Sequence, residues 1–179
     1  MVVKPFLQGK KINLRPLVAA DVEGEYVNWL NDAVVCGYNA HHIFPYSREQ
    51  ALGYIADKKG SKKDLVLALV TKGKKSKHIG NIALQNIDYI NRSAEFAIII
   101  GDKNFWGKGI AAEASRLIIN HGFAALNLHR VYCGTSSKNI PMQKLAAALG
   151  FKAEGRRTEA LYKNGEYTDI LEYGLVRKK

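Results

Sequence analysis

Gly107 and Gly109 flank Lys108 inside the run Phe96 to Ala111, F-A-I-I-I-G-D-K-N-F-W-G-K-G-I-A. An apolar strand pattern leads into a short polar loop, then the glycine pair, then the helix pattern Ile110 to Phe123. That order leaves backbone N–H groups unblocked at a helix N-terminus, where the helix dipole favours an anion. The glycines let a bulky ligand approach the main chain, and Lys108 adds a positive charge beside it. The chemistry indicated is phosphate binding, which many unrelated nucleotide and cofactor sites share.

Two histidines, His41 and His42, stand side by side in a segment of loop composition. Imidazole titrates near neutral pH, so the pair could shuttle a proton or contact an acidic substrate. Plain solvent exposure is the other reading of adjacent loop histidines. His121 and His129 flank a helix and a strand and read as packing residues. Cys36 and Cys133 lie far apart with no metal-ligand spacing, so neither a metal site nor a disulfide framework is expected, and both read as reduced thiols.

These residues need elements to position them. A chain of 179 residues with 47% hydrophobic content can bury one core, so residues 1–179 are expected to form a single domain. No apolar run approaches the roughly 20 residues that span a bilayer, and the start lacks a signal-peptide core, so a cytoplasmic protein is expected. The net charge of +11 is uneven: from Lys58 to Lys77 eight lysines face one acid, Asp64, so seven of the eleven net charges sit there. They read as solvated loop charges. An RNA, ribosome or acidic-partner patch is the alternative, weakened for single-stranded nucleic acid because no aromatic residues interleave.

Alternation over Lys11 to Leu17 predicts a first strand ending near Pro16. Asp21 is expected to cap a helix through Tyr26, Trp29 and Leu30. Asn31 to Tyr46 reads as an irregular loop, and Ser47 with Gln50 as a capping box opening a helix to about Lys59. Leu65 to Thr71, His78 to Asp88 and Ala94 to Ile100 read as strands, the last buried on both faces. The helix Ile110 to Phe123, frayed at Gly122, is followed by a strand Leu128 to Thr135 and a helix Ile140 to Leu149 stopped by Gly150. Phe151 onward returns to strand, and Asn164-Gly165 predicts a hairpin. The sum is about seven strands and four helices, mixed α/β, with parallel crossovers in an otherwise antiparallel sheet that splays where direction changes.

The run A-E-F-A-I-I-I-G-D-K-N-F-W-G-K-G-I-A-A-E-A, the strand N-L-H-R-V-Y and the segment N-I-P-M-Q-K-L-A-A-A-L-G-F-K-A-E-G together resemble a GNAT N-acetyltransferase. The chain is more narrowly similar to the RimJ/RimL branch, through W-G-K-G, Asn-x-x-Ser and L-G-F-x-x-E-G. The opening I-N-L-R-P-L and the ending Y-x-N-G-E-Y-x-D extend the resemblance over nearly the whole chain. It implies the GNAT-type splayed sheet and acetyl-CoA as cosubstrate, without a metal. By the same resemblance Trp106, Gly107, Lys108, Gly109, Ile110 and Ala111 form the pyrophosphate loop. Ile98, Ile99 and Ile100 hold the pantetheine arm and Asn139 contacts it, unless Asn139 is only a helix cap. The branch often has Arg or Gln where this chain has Trp106, which leaves phosphate binding to main-chain donors and Lys108. It usually has Ser where this chain has Met142, near the thioester sulfur, and a thioether donates no proton.

The resemblance matches Glu95 to a general base of some members, with a structural ion pair as the other reading. Tyr132 or Tyr162, or water, would then meet the departing thiolate. Ribosomal-protein acetylating members carry a glutamate where this chain has Leu161, which lowers the expectation of a ribosomal substrate. Trp29, Tyr38, His41 and His42 are the candidate acceptor-side residues, with Trp29 and Tyr38 also open to a core role.

The expected function is direct acetyl transfer to a primary amine in a ternary complex, because neither cysteine has an evident base. A nucleotide-linked amino sugar suits a basic protein as acceptor. A protein N-terminus or a polyamine is the second acceptor reading, and a non-catalytic acetyl-CoA-binding or ribosome-associated module is the alternative class. A monomer or homodimer is expected.

Overall fold

The computed structural model describes residues 4–73 and 76–178. Eight strands lie in one sheet: β1 (Leu7–Gln8), β2 (Ile12–Pro16), β3 (Leu65–Thr71), β4 (His78–Asp88), β5 (Ser93–Ile100), β6 (Arg130–Ser136), β7 (Lys152–Lys163) and β8 (Glu166–Val176). Their order across the sheet is β1-β2-β3-β4-β5-β6-β8-β7. The helices are α1 (Tyr26–Leu30), α2 (Arg48–Lys58), α3 (Ile110–Ala124) and α4 (Ile140–Leu149). The strand count exceeds the sequence reading by the two-residue β1, too short to show a period.

Two apolar layers cover the sheet on opposite faces. Ile110, Ala114 and Ile118 of α3 and Ala146 of α4 pack with Leu69, Ile82, Leu84, Phe96 and Val131. Val22, Tyr26, Trp29, Cys36, Ala51 and Ile55 form the second cluster, around α1 and α2. Each fully buried Leu or Ile contributes on the order of 2 kcal/mol, so the strand-rich first layer dominates the stability.

Local chemistry explains most boundaries. Ser47 Oγ accepts the Gln50 N–H at 3.2 Å while Gln50 Oε1 accepts the Ser47 N–H at 2.7 Å, the expected capping box. Asn164 and Gly165 sit at φ 52° and 83°, the left-handed pair that a two-residue hairpin turn needs. Among the described residues the single parallel pairing is β5 with β6, reached through α3.

Three expectations are corrected. Asp21 does not cap α1: it lies buried in a 3-10 turn, Ala19–Glu23, whose first N–H, that of Val18, it accepts while pairing with Arg15. Gly122 does not end α3, which runs to Ala124. It lies buried there because a Cβ would come within 2.7 Å of Leu84 Cδ1. β5 is not buried on both faces, because Ile98, Ile99 and Ile100 are half-buried where β6 leaves its side.

The lysine-rich stretch is only partly loop. Lys58 belongs to α2 and pairs with Asp64, Lys72 Nζ donates to the Gly9 carbonyl, and Lys77 pairs with Asp102. Lys74 and Lys75 lie outside the described residues. No helix among the described residues is long and apolar enough to cross a membrane.

Candidate active site

The parallel ladder between β5 and β6 holds three pairs, Ser93 with Arg130, Ala94 with Val131 and Glu95 with Tyr132, and then stops. From Phe96 onward β5 stays on β4, while β6 stays on β8 as far as Ser136 opposite Ile170. The sheet therefore opens as a wedge with Glu95 and Tyr132 at its apex.

The main-chain groups that face this wedge follow from strand parity. The Gly101 N–H donates to Ile79 O at 2.9 Å, so Gly101 and, two residues at a time, Ile99 and Ala97 turn both main-chain groups toward β4. Phe96, Ile98 and Ile100 turn theirs toward the wedge. An extended amide-bearing arm laid beside β5 would find a free strand edge there. Of the three isoleucines named from the sequence, Ile98 offers both main-chain groups and Ile100 its N–H alone, its carbonyl being taken by the Trp106 indole, while Ile99 offers neither. Ile99 packs its side chain on the α1–α2 cluster instead.

The open end of the wedge leads to the glycine loop. Gly107 and Gly109 have φ of 71° and 74°, and Gly109 is the N-cap of α3. Their need for glycine is conformational: a Cβ at Gly107 would meet nothing within 4 Å and one at Gly109 only Lys11 Nζ at 3.7 Å, yet each would sit on a left-handed residue. Because the Glu113 N–H already takes Gly109 O, the N–H groups of Ile110, Ala111 and Ala112 find no partner within α3. Ile110 meanwhile buries its side chain in the core and fixes where the helix begins.

Cations and an indole surround this loop. The Lys108 ammonium sits over the Phe105 ring, 5.7 Å from its centroid. Lys11, immediately before β2, reaches across and donates from Nζ to Lys108 O at 3.0 Å. Its own N–H is held by Glu113 Oε1 at 2.9 Å. Sequence reading missed Lys11, because a lysine 97 positions away carries no local signal. Trp106 folds back and donates from Nε1 to Ile100 O at 2.8 Å, clipping the loop to the end of β5 with its ring 44% exposed. Free N–H groups, two left-handed glycines and two ammonium groups fit a pyrophosphate at this place.

At the apex, Glu95 accepts the Asn86 amide at 3.0 Å. Burial, with the Glu95 charge beside it, pushes the Tyr132 hydroxyl above the ordinary phenol value, so it stays protonated at neutral pH. Arg130 lies 5.9 Å over the Tyr132 ring. Burial pushes the Cys133 thiol up to about 12 and raises Cys36 as well, so both thiols are protonated at neutral pH.

The remaining sequence-named residues separate. Asn139 is an N-cap: its Oδ1 accepts the Met142 N–H at 3.2 Å and its Nδ2 donates to Thr135 Oγ1 at 3.1 Å. Met142 packs on the main core. Trp29 is 5% exposed and belongs to the α1–α2 cluster, and a Cβ on Gly101 would lie 1.9 Å from its ring. Tyr38, His41 and His42 are exposed on the loop 31–46. Tyr162 packs on Tyr167 near the hairpin tip with the rings tilted by 52°, centroids 4.9 Å apart. Tyr167 lies seven residues along β8 from Gly174, the partner of Tyr132, about 20 Å of strand. Tyr162 therefore stands with the loop 31–46 and not with Glu95.

A polar hollow of about 350 Å³ lies at the end of β5, lined by Glu25, Asp32, Asp102, Lys77 and Lys103 among others. Three carboxylates meet two ammonium groups there, so the overall charge of +11 does not describe this face.

Comparison with known proteins bears on the family and the fold. The family model described as Acetyltransferase (GNAT) domain matches residues 11–152. The spermidine N(1)-acetyltransferase of Escherichia coli (strain K12) is 31% identical over 162 residues, 89% of this chain and 83% of that protein. YdaF of Bacillus subtilis (strain 168), whose name offers it provisionally as a ribosomal N-acetyltransferase, is 36% identical over 56% of this chain. The matched stretch spans about half of that relative, 54% of its length. Among solved structures, the Vibrio cholerae spermidine N-acetyltransferase in complex with CoA and spermine gives a TM-score of 0.83 at 27% identity, covering 93% of this chain and 95% of that one. With the splayed sheet, the glycine loop and the match over residues 11–152 in agreement, this chain belongs to the GNAT acetyltransferase family.

Proposed function

We propose that this protein transfers the acetyl group of acetyl-CoA to a small primary amine, directly and in a ternary complex. The observation that carries the reading is the wedge itself. One end holds unpaired N–H groups and two lysines suited to the pyrophosphate, and the apex holds a carboxylate beside a protonated phenol. Between them runs a free β5 edge of the right kind for the pantetheine amides. When bound, acetyl-CoA supplies the activated acetyl carbon.

The protein's own groups then have distinct work. The loop of Trp106, Gly107, Lys108, Gly109, Ile110 and Ala111, joined by Ala112 and Lys11, holds the phosphates. Ile98 and Ile100 orient the arm. An amine attacks only when neutral, so Glu95 takes its proton, directly or through one water. Tyr132 keeps a proton available for the departing thiolate. The raised thiols of Cys36 and Cys133 argue for direct transfer over an acyl-enzyme.

The acceptor with the comparisons behind it is a polyamine, since spermidine is in the names of the relative matched over most of its length and of the solved complex. The mixed-charge hollow beside β5 is compatible with an amine cation. The amino-sugar reading has only the overall charge in its favour. The protein N-terminus has the B. subtilis name and the similarity to the RimJ/RimL branch. The test is free-thiol release from acetyl-CoA with spermidine, a nucleotide-linked amino sugar and an N-terminal peptide in parallel arms. Preference for spermidine supports the reading, and turnover confined to another arm reassigns the acceptor.

A further inference from the structure

Lys163, at the end of β7, is 7% exposed, and the one hydrogen-bond partner of its ammonium among the described residues is the carbonyl of His41. Lysines are almost never buried unless paired, because an ammonium out of water is costly without a counter-charge. A residue that breaks this rule marks a place where something other than stability is served. The bond joins positions 122 residues apart.

What it joins is specific. His41 belongs to the loop 31–46, whose Cys36 is included in the α1–α2 cluster that covers β5 through Ile99. Lys163 belongs to the β7–β8 hairpin, whose β8 pairs with β6 as far as Ser136. Since β5 and β6 diverge after Glu95 and Tyr132, loop and hairpin stand on opposite banks of the wedge, and Lys163 spans them. The Lys163 ammonium also lies near Cys36, where it opposes the burial that raises the thiol.

The loop is pinned at that point from several sides. The His41 N–H donates to Asn39 Oδ1 at 2.9 Å, so both main-chain groups of His41 are held. His42 follows at φ 58°, a left-handed conformation uncommon outside glycine, which surrounding structure must impose. We infer that Lys163 is a positioning residue of the acceptor side, latching the loop 31–46 to the β7–β8 hairpin across the mouth of the β5–β6 wedge. The latch rests on the acetyltransferase reading for its functional meaning. It predicts that the amine site, not the CoA site, depends on Lys163.

The experiment uses the full chain with Lys163→Met and Lys163→Arg, read by amide hydrogen exchange, CoA titration and initial rates with spermidine. In Lys163→Met, exchange over residues 38–42 should quicken and the KM for amine should rise about ten-fold, with CoA affinity within about two-fold of the parent. Lys163→Arg should restore much of both. Unchanged loop exchange and amine KM in a folded Lys163→Met would overturn the latch, as would an equal loss of CoA affinity. If Lys163→Met fails to fold, Lys163→Gln, which keeps a donor without the charge, is read the same way. If the parent turns over no amine, the acetyltransferase reading falls, while loop exchange still decides the latch.

Discussion

Glu95 and Tyr132 form the last rung of the parallel ladder between β5 and β6, and the strands separate at the very next residue. The pair thus places a carboxylate and a phenol together where a ligand can enter. Glu95→Gln should lower turnover about 100-fold while leaving CoA affinity within about two-fold of the parent. Initial rates with spermidine and a CoA titration check this, and an unaltered kcat returns Glu95 to a structural role.

The pKa of the Tyr132 phenol lies above that of ordinary tyrosine, so the protonated donor persists through neutral pH and is lost only as pH rises past the usual phenol range. Tyr132→Phe should lower kcat by at least about ten-fold where thiolate departure limits the rate, with CoA affinity unchanged. A full kcat in Tyr132→Phe would leave that proton to water.

Gly109 is left-handed and Lys11 Nζ lies 3.7 Å from where its Cβ would be. Gly109→Val combines backbone strain of about 1–3 kcal/mol with a blocked phosphate approach, so CoA affinity should fall more than about ten-fold while circular dichroism stays unchanged. Lys11→Met should weaken CoA by about ten-fold or less at low salt and flatten the salt dependence, leaving pantetheine binding alone. A CoA titration in which Lys11→Met matches the parent at every salt concentration would remove Lys11 from the site.

Asp21 and Arg15 test the fold apart from the chemistry. Burial works against the Asp21 carboxylate, but the Arg15 hydrogen bond, helped by His78 and the Val18 N–H, holds its value below the usual range. A depressed carboxylate stabilises the fold above its ordinary pKa, and that contribution is lost as pH falls through the lower folded value. Asp21→Asn should destabilise the protein by about 3 kcal/mol, leaving Arg15 with no charged partner, and should flatten the acid side of a stability–pH curve. Denaturant melts from pH 7 to 3 measure both.

The legible regions of this protein are those set by residues within one or two turns of each other. Gly107 to Ala111, Ser47 with Gln50 and Asn164-Gly165 each carry their reason locally, in a left-handed dihedral or a cap. The wedge is foreseeable only as a place where direction changes, since its opening depends on which neighbour β6 chooses beyond Tyr132. Lys11 on Lys108 and Lys163 on His41 are invisible in the sequence, because a lysine says nothing there about which carbonyl it reaches 97 or 122 residues away. Asp21 and Gly122 mislead for the same reason: a residue suited to a helix end is used for tertiary packing.

Acetyl transfer to a small amine must release one free thiol from acetyl-CoA for each amine acetylated. With spermidine present, thiol release should be saturable and matched one-to-one by an acetylated amine in mass spectrometry, and should be lost in Glu95→Gln. Tight CoA binding with no thiol release above the hydrolysis background, for any amine in the panel, would contradict it and leave a protein that binds the cosubstrate without using it.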